Sequence, residues 1–366
     1  MMTNTETGGM TNGMTGGMTR REVLASAAAV GVAAGLGPFV RGADKSGRSV
    51  GPVVVGSGEH TYECVHDWAK LPGTHAFGNT HGVAFDSQGL CYVKHTVHAT
   101  SQSGDAVCVF EPDGTFVRSW GAEYRGGAHG LTLVKEKEGE FLWMADCNRG
   151  VVQKQTLQGE VALELAWPEV SGLYNSKGEY KPTNVAVVGA GGGVHAGEVF
   201  VADGYGKSWI HRYTAKGEYV SSFGGPGRER GQVSCPHGIM VDTRGKEPEV
   251  LVADRGNRRL QRFSMEGRHL GFVTKDLKLP CHFDARGEVL LVPDLDSRVT
   301  LLNKRNELIV HLGDGESQGL RAEAREKFIP GKFICPHSAC FDAAGNIFVV
   351  EWVEVGRVTK LVKRGP

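Results

Sequence analysis

The sequence predicts an all-β chain folded as a six-bladed β-propeller. Three observations predict it. Short runs of four to six residues, rich in Val, Phe and Ile and bounded by Gly, Asp and Asn, follow one another as strands do, while helical periodicity is scarce. One unit recurs six times. It comprises an inner run opening on His or Asn, a tight turn, a second apolar run, a polar loop and two further runs. The openings lie 45–55 residues apart, the period of a four-stranded blade with variable loops. The sixth unit stops one strand early, after Arg357–Val362, and Thr61–Trp68 offers the missing strand from the other end. Pairing the two closes the ring and leaves only short outer edges.

The units run in order as follows. The first opens on His81–Asp86, turns at Ser87–Gly89, continues through Leu90–Lys94, and adds Ala106–Phe110 and Thr115–Trp120. The second opens on His129 with second run Phe141–Ala145, and the third on Asn184 with Val199–Ala202. The fourth is the clearest copy: Cys235–Asp242, a turn at Thr243–Gly245, then Val250–Asp254. The fifth, opening on His282, is abbreviated; the sixth opens on His337, with second run Ile347–Val350. Ser317–Lys327, an insertion before blade six, is the best helix candidate. Residues 59–366 are read as one propeller, 46–58 as a linker and 1–45 as a leader.

In the leader, Arg20-Arg21 precede an Ala/Gly/Val-rich apolar stretch from Leu24 to about Leu36. Paired arginines before a mildly apolar segment read as a twin-arginine-type export signal, which places the folded protein in the periplasm or outside the cell. No later apolar run is long enough to span a bilayer. Lys plus Arg and Asp plus Glu balance at 41 each, with no long run of either sign. That neutrality excludes the basic excess a nucleic-acid binder needs. A monomer with a small-molecule or peptide substrate in its channel is expected. The eight cysteines form no CxxC and no short disulfide framework.

The first strand of each propeller blade lines the central channel. Equivalent copies therefore bring His81, His129, Asn184, His237, His282 and His337 into a ring. Histidine at five of six equivalent positions points to a metal. Imidazole suits zinc, copper, iron or nickel, and three neutral imidazoles with an open position are the pattern of catalytic zinc. Zinc is the expected ion, with copper or iron as alternatives. Alternate blades offer a near three-fold set, His129, His237 and His337; the other set, His81, Asn184 and His282, is poorer because Asn is a weak zinc ligand. Cys235 and Cys335, each two residues before a histidine, are further ligand candidates, although small buried residues at a strand entry would look the same. The second strands end in another polar ring: Lys94-His95, Asp146, Asp203, Asp254, Asp294 and Glu351. Its recurrent acids read as structural, bonding turn amides. Tyr205 and Arg255 depart from that consensus and are the functional candidates. Arg255 would stabilise the phenolate of Tyr205, which could then act as a base.

The segments Ala128–Leu131, Pro182–Val187, Val199–Tyr205, Cys235–His237, Val252–Arg255 and Cys335–His337 resemble NHL-repeat propellers and, within them, the peptidyl-α-hydroxyglycine α-amidating lyases (peptidylamidoglycolate lyases). The similarity covers most of Gly82–Leu361. It implies one zinc on His129, His237 and His337, a catalytic Tyr205, and Arg255 as one of two active-site arginines; the position of the other is His95. It implies cleavage of the C–N bond of a peptidyl-α-hydroxyglycine to a peptide amide and glyoxylate. The departures are specific. The family lacks histidines at positions 81 and 282, and its Met before the last His is Cys335. Its structural-calcium aspartate is Ser338 here, which weakens the case for calcium at the carbonyls of Val83 and Leu131.

The leading reading is an exported metal-dependent lyase of this type. One alternative keeps the metal and changes the chemistry to an oxidative or hydrolytic step. Another is a non-enzymatic module that binds a protein or glycan at its loop-rich face, since a fold does not fix a function.

Overall fold

The computed structural model describes residues 41–43 and 49–365. Within them lie six antiparallel sheets, one per repeat. Blade one comprises Thr80–Phe85, Cys91–His95, Val107–Phe110 and Phe116–Trp120. Blades two to five follow with four strands each, so the chain is a six-bladed β-propeller. Blade six is built from Pro336–Phe341, Ile347–Glu351, Arg357–Lys363 and, from the other end, His60–Val65. That closing strand pairs antiparallel with the last one, Lys360 opposite Val65 and Leu361 opposite Cys64.

Each gap between neighbouring blades is filled by its own apolar cluster. Trp68, Phe77, Val93, Phe110, Phe348 and Val350 join blades six and one. Leu251, Leu260, Leu290 and Val292 join four and five. These are the inward residues of the alternating runs, so the pattern that makes each strand also supplies the seam that holds it to the next blade.

Two sequence expectations change. Ser49–Ser57, read as linker, is a nine-residue strand paired with His60–Val65, and Arg41–Ala43 pairs outside it. The reason is apolar: Val53 and Val55 are buried. The expected helix at Ser317–Lys327 is two 3-10 turns, Gln318–Leu320 and Arg325–Lys327. Gly319 and the lack of an apolar stripe leave nothing to stabilise so short a helix. The twin-arginine-type segment lies outside the described residues. No helix among the described residues is long and apolar enough to cross a membrane.

The inner strands of all six blades line a channel. Its far half is a cavity of about 270 Å³ walled by residues such as Val83, Leu133, Val187, Met240, Phe283 and Phe341. The histidines that open the inner strands of blades one, two, four and six each stand two residues before a lining residue of that cavity, Val83, Leu131, Ile239 and Ala339.

Candidate metal centre

Four of those histidines cluster. The rings of His129, His237 and His337 form a nearly equilateral triangle with centroids 4.7, 4.9 and 4.6 Å apart. His81 lies against it, 4.8 Å from His129 and 4.3 Å from His337. The four are at most 6% exposed.

Local backbone explains why they point inward. The inner strands of blades one, two, four and six each carry a β-bulge at the histidine, between Thr80 and Gly82, Ala128 and Leu131, Pro236 and Ile239, and Pro336 and Ser338. A bulge bends the strand and re-aims a side chain. Blade three, with Asn184, pairs without a break. In three blades glycine follows the histidine. A Cβ on Gly130 would lie 2.6 Å from the Thr183 carbonyl oxygen, and one on Gly238 2.5 Å from that of Cys281. Glycine is there so that the next blade's backbone can come this close.

That approach sets the tautomers. His129 Nδ1 donates to the Thr183 carbonyl at 2.6 Å, His237 Nδ1 to Cys281 at 2.9 Å, and His337 Nδ1 to His81 at 2.9 Å. A carbonyl only accepts, so each Nδ1 carries the proton and each Nε2 presents a lone pair, the outer-shell arrangement that orients imidazole ligands. Burial drives all four imidazoles below the ordinary histidine range, His129 to about 3, and neighbouring positive groups add to the effect. Lys94 contributes from blade one; its buried ammonium rests on the Ala145 carbonyl at 2.7 Å.

Tyr205 and Arg255 complete the centre. The Tyr205 hydroxyl lies 3.3 Å from His129 Nε2, 3.2 Å from His237 Nε2 and 3.4 Å from Arg255 Nη2. Gly204 and Gly206 flank Tyr205 because a Cβ on either would strike the Pro236 carbonyl oxygen or the Asp203 carboxylate. Asp203 pins the turn through the amides of Lys181 and Lys207, and Asp254 does the same for Arg255 through the Ser234 amide and Arg259. The recurrent acids are thus structural, as their spacing suggested. Burial holds the Tyr205 hydroxyl above its ordinary range and Arg255 pulls it down. With 39% of the residue open to water, burial acts on it less fully than on the histidines below.

The proton count shows that this pocket suits a cation. Nε2 of His129, His237 and His337 are three acceptors. The hydrogens aimed at them are the phenolic proton of Tyr205 and one on His81 Nδ1, which lies 3.1 Å from His337 Nε2. One buried lone pair is left over, an arrangement a metal ion relieves.

The other sequence candidates fall outside this core or at its edge. His81, His129 and His337 have ligand atoms all within 4.8 Å of one another, a compact trio that mixes the two alternate-blade sets. His95 is not brought to the centre. Its Nδ1 accepts from the Val97 amide, its Nε2 contacts the Cys108 thiol, and its ring packs edge-on against Phe77. Asn184 spends its side-chain oxygen on the Val185 amide. His282 lies before its shortened strand, Asp284–Arg286, and lines the far cavity with Nδ1 unpartnered. Cys335 packs with Cys281, Leu295, Ile334 and Val353, and burial pushes its thiol up to about 12. Cys235 instead reaches the centre's rim, with Sγ 3.1 Å from Arg255 Nη2. Its left-handed backbone, φ 50°, is unusual before a proline. Ser338 is buried with its hydroxyl unpartnered.

Sequence reasoning missed Cys281. Its carbonyl orients His237, and its thiol lies 3.7 Å from Arg255 Nη1. The glycine after the histidine was the readable signal for such carbonyl contacts. All eight cysteines are unpaired.

No protein-family model matches the chain. Among curated proteins it is similar to NHL repeat-containing protein 3 of Homo sapiens, 26% identical over 252 residues that cover 64% of this chain and 67% of that protein. The Mus musculus protein of the same name is 28% identical over 242 residues, covering 62% and 65%. The matches thus span about two thirds of those relatives. Among solved structures it is similar to virginiamycin B lyase from Staphylococcus aureus, with a TM-score of 0.51 at 13% identity over 82% of this chain and 99% of that one. That likeness is one of fold. The chain is accordingly a six-bladed β-propeller with homologues among NHL repeat-containing proteins.

Proposed function

We propose that this protein is an exported metal-dependent carbon–nitrogen lyase acting on peptidyl-α-hydroxyglycine-like substrates. The observation that carries the reading is the convergence of the His129 and His237 Nε2 atoms and the Arg255 guanidinium on the Tyr205 hydroxyl oxygen, each within 3.4 Å of it.

His129, His237 and His337 would hold the ion. A Lewis-acidic ion there, zinc being the simplest choice, makes a bound hydroxyl more acidic. Tyr205 is placed to take the hydroxyl proton and return it to the departing amide nitrogen. Arg255 does two things: it favours the phenolate form of Tyr205, and its guanidinium, whose outer nitrogens now face only that hydroxyl and the Cys235 and Cys281 thiols, would exchange those weak thiol contacts for a substrate carboxylate. The reaction balances without water or oxidant. The carbinol O–H and C–N bonds break, a C=O and an N–H bond form, and the products are an amide and glyoxylate. His95 has no part in this. It is buried in apolar surroundings away from the cluster, and among the described residues Arg255 is the one arginine in contact with Tyr205.

Glyoxylate release from a peptidyl-α-hydroxyglycine by metal-loaded protein tests the reading. Tyr205→Phe is expected to lower kcat by roughly 10²–10⁴-fold, the usual worth of a positioned acid–base group, with metal content unchanged. Undiminished turnover in Tyr205→Phe would refute its role. A metal-loaded protein that forms no glyoxylate would favour an oxidative or hydrolytic step at the same ion, a reading to which the extra imidazole of His81 lends support.

A further inference from the structure

We infer that His81 is a fourth protein ligand, so that the ion sits among four imidazoles with its open position on the Tyr205 side. This deepens the reading above and rests on the metal site proposed there.

Three observations carry it. First, the β-bulge that re-aims the inner-strand histidine occurs in blades one, two, four and six and is absent from Asn184 in blade three. His81 therefore shares the backbone device of the other three ligands. Second, its Nδ1 is 3.1 Å from His337 Nε2, and its donor lies within 4.8 Å of those of both His129 and His337. Nitrogens bound to one ion at about 2.0–2.1 Å stand roughly 2.9–3.4 Å apart, so the His81–His337 pair already has the spacing of co-ligands. Third, His81 meets the cluster on the His129–His337 edge, whereas Tyr205 meets it on the His129–His237 edge. The two do not compete for a position.

The His81 backbone adds a constraint. Its carbonyl accepts the His337 Nδ1 proton at 2.9 Å. That fixes His337 Nε2 as an acceptor and places the proton of the 3.1 Å contact on His81 Nδ1. Once an ion takes the His337 lone pair, His81 Nδ1–H loses its partner. The tautomer with the proton on Nε2 then turns a free Nδ1 lone pair toward the same ion. Four nitrogens and one open site suit a divalent late transition metal with tetragonal preference, Cu²⁺ or Ni²⁺, better than the three-imidazole zinc pattern does.

Cu²⁺ added to the full chain and read by electron paramagnetic resonance tests the inference. Wild type and His282→Gln, which alters the ring position outside the cluster, are expected to show nitrogen splitting from four imidazoles. His81→Gln is expected to show three and to bind Cu²⁺ roughly tenfold or more weakly, while its circular dichroism stays that of wild type. A wild-type spectrum with three imidazole nitrogens, unaltered in His81→Gln, would overturn the inference and leave the three-histidine site standing. If no ion binds at all, the site itself falls.

Discussion

Arg357→Met is expected to unfasten the ring closure and loosen the metal centre together. Arg357 and Glu351 form a buried pair, with side chains 2% and 0% exposed. Arg357 Nε donates to Glu351 Oε2 at 2.5 Å and Nη2 to Oε1 at 3.0 Å; Nη2 also reaches the Lys332 carbonyl, and Glu351 Oε1 accepts the Ile334 amide. The Thr80 hydroxyl bridges the Glu351 and Arg357 backbones from blade one. The pair thus ties the last two strands to the segment entering His337 and to the residue before His81. Removing the guanidinium strands a carboxylate where water does not reach, a loss of about 3–5 kcal/mol. For a chain of this length that is a fall in melting temperature of roughly 4–7 °C. Glu351→Leu with Arg357→Met removes the stranded charge but leaves the Ile334 amide and the Lys332 carbonyl without partners, so it should recover only part of the loss. Urea melts of the two single variants, the double variant and wild type give the coupling energy, expected to exceed about 2 kcal/mol. A loss below 1 kcal/mol in Arg357→Met, or a coupling near zero, would refute the account of the pair.

Gly238→Ala pushes a methyl against the Cys281 carbonyl that orients His237. It should destabilise the fold by about 1–3 kcal/mol and weaken metal binding by about 10–100-fold, measured by competition with a chelator. Gly58→Ala, where a Cβ meets nothing within 4 Å but φ is 54°, should destabilise through the turn alone and leave metal affinity unchanged. Acid should unfold the metal-free protein. Burial holds His66, His95 and His211 neutral with pKa near 3, whereas the unfolded chain titrates near 6.5. Below pH 6.5 the unfolded state binds more protons, so stability is full above that value and falls as the pH drops toward 3. The slope is up to about 1.4 kcal/mol per pH unit for each histidine. Asp284, raised by burial to about 6, runs the other way, its contribution full below about 3.8 and lost as the pH rises through 6. More imidazoles than carboxyls are perturbed, so melts at pH 7 and 4.5 should differ in favour of pH 7.

The ring was legible because strands and seams use the same residues. Alternating runs at Val83, Leu131, Ile239 and Ala339 repeat at blade spacing, and the unfinished sixth unit pointed to the closing strand near Tyr62. The histidine ring followed from that equivalence, and so did Tyr205 and Arg255 as departures from it. What stayed hidden was position within a copy. Equivalent numbering treats His81, Asn184 and His282 alike, yet a bulge turns His81 into the cluster while Asn184 bonds its own strand and His282 precedes a shortened one. His95 aligned with an active-site position, but Phe77 and Cys108 surround it because its loop folds inward at Gly78 and Val97. Ser49–Ser57 looked like a linker because its apolar run is only Val53–Val55, set between Gly51-Pro52 and Gly56, too short a signal to separate a strand from an extended tail.

The claim on which the rest depends is that the histidine cluster is a metal centre. Elemental analysis of the full chain, purified without chelator, beside His237→Ala tests it most directly. One transition-metal ion per wild-type chain, and well under half of that in His237→Ala of unchanged fold, is the result this account predicts. A wild-type protein that neither carries such an ion nor takes one up when zinc or copper is supplied would contradict it.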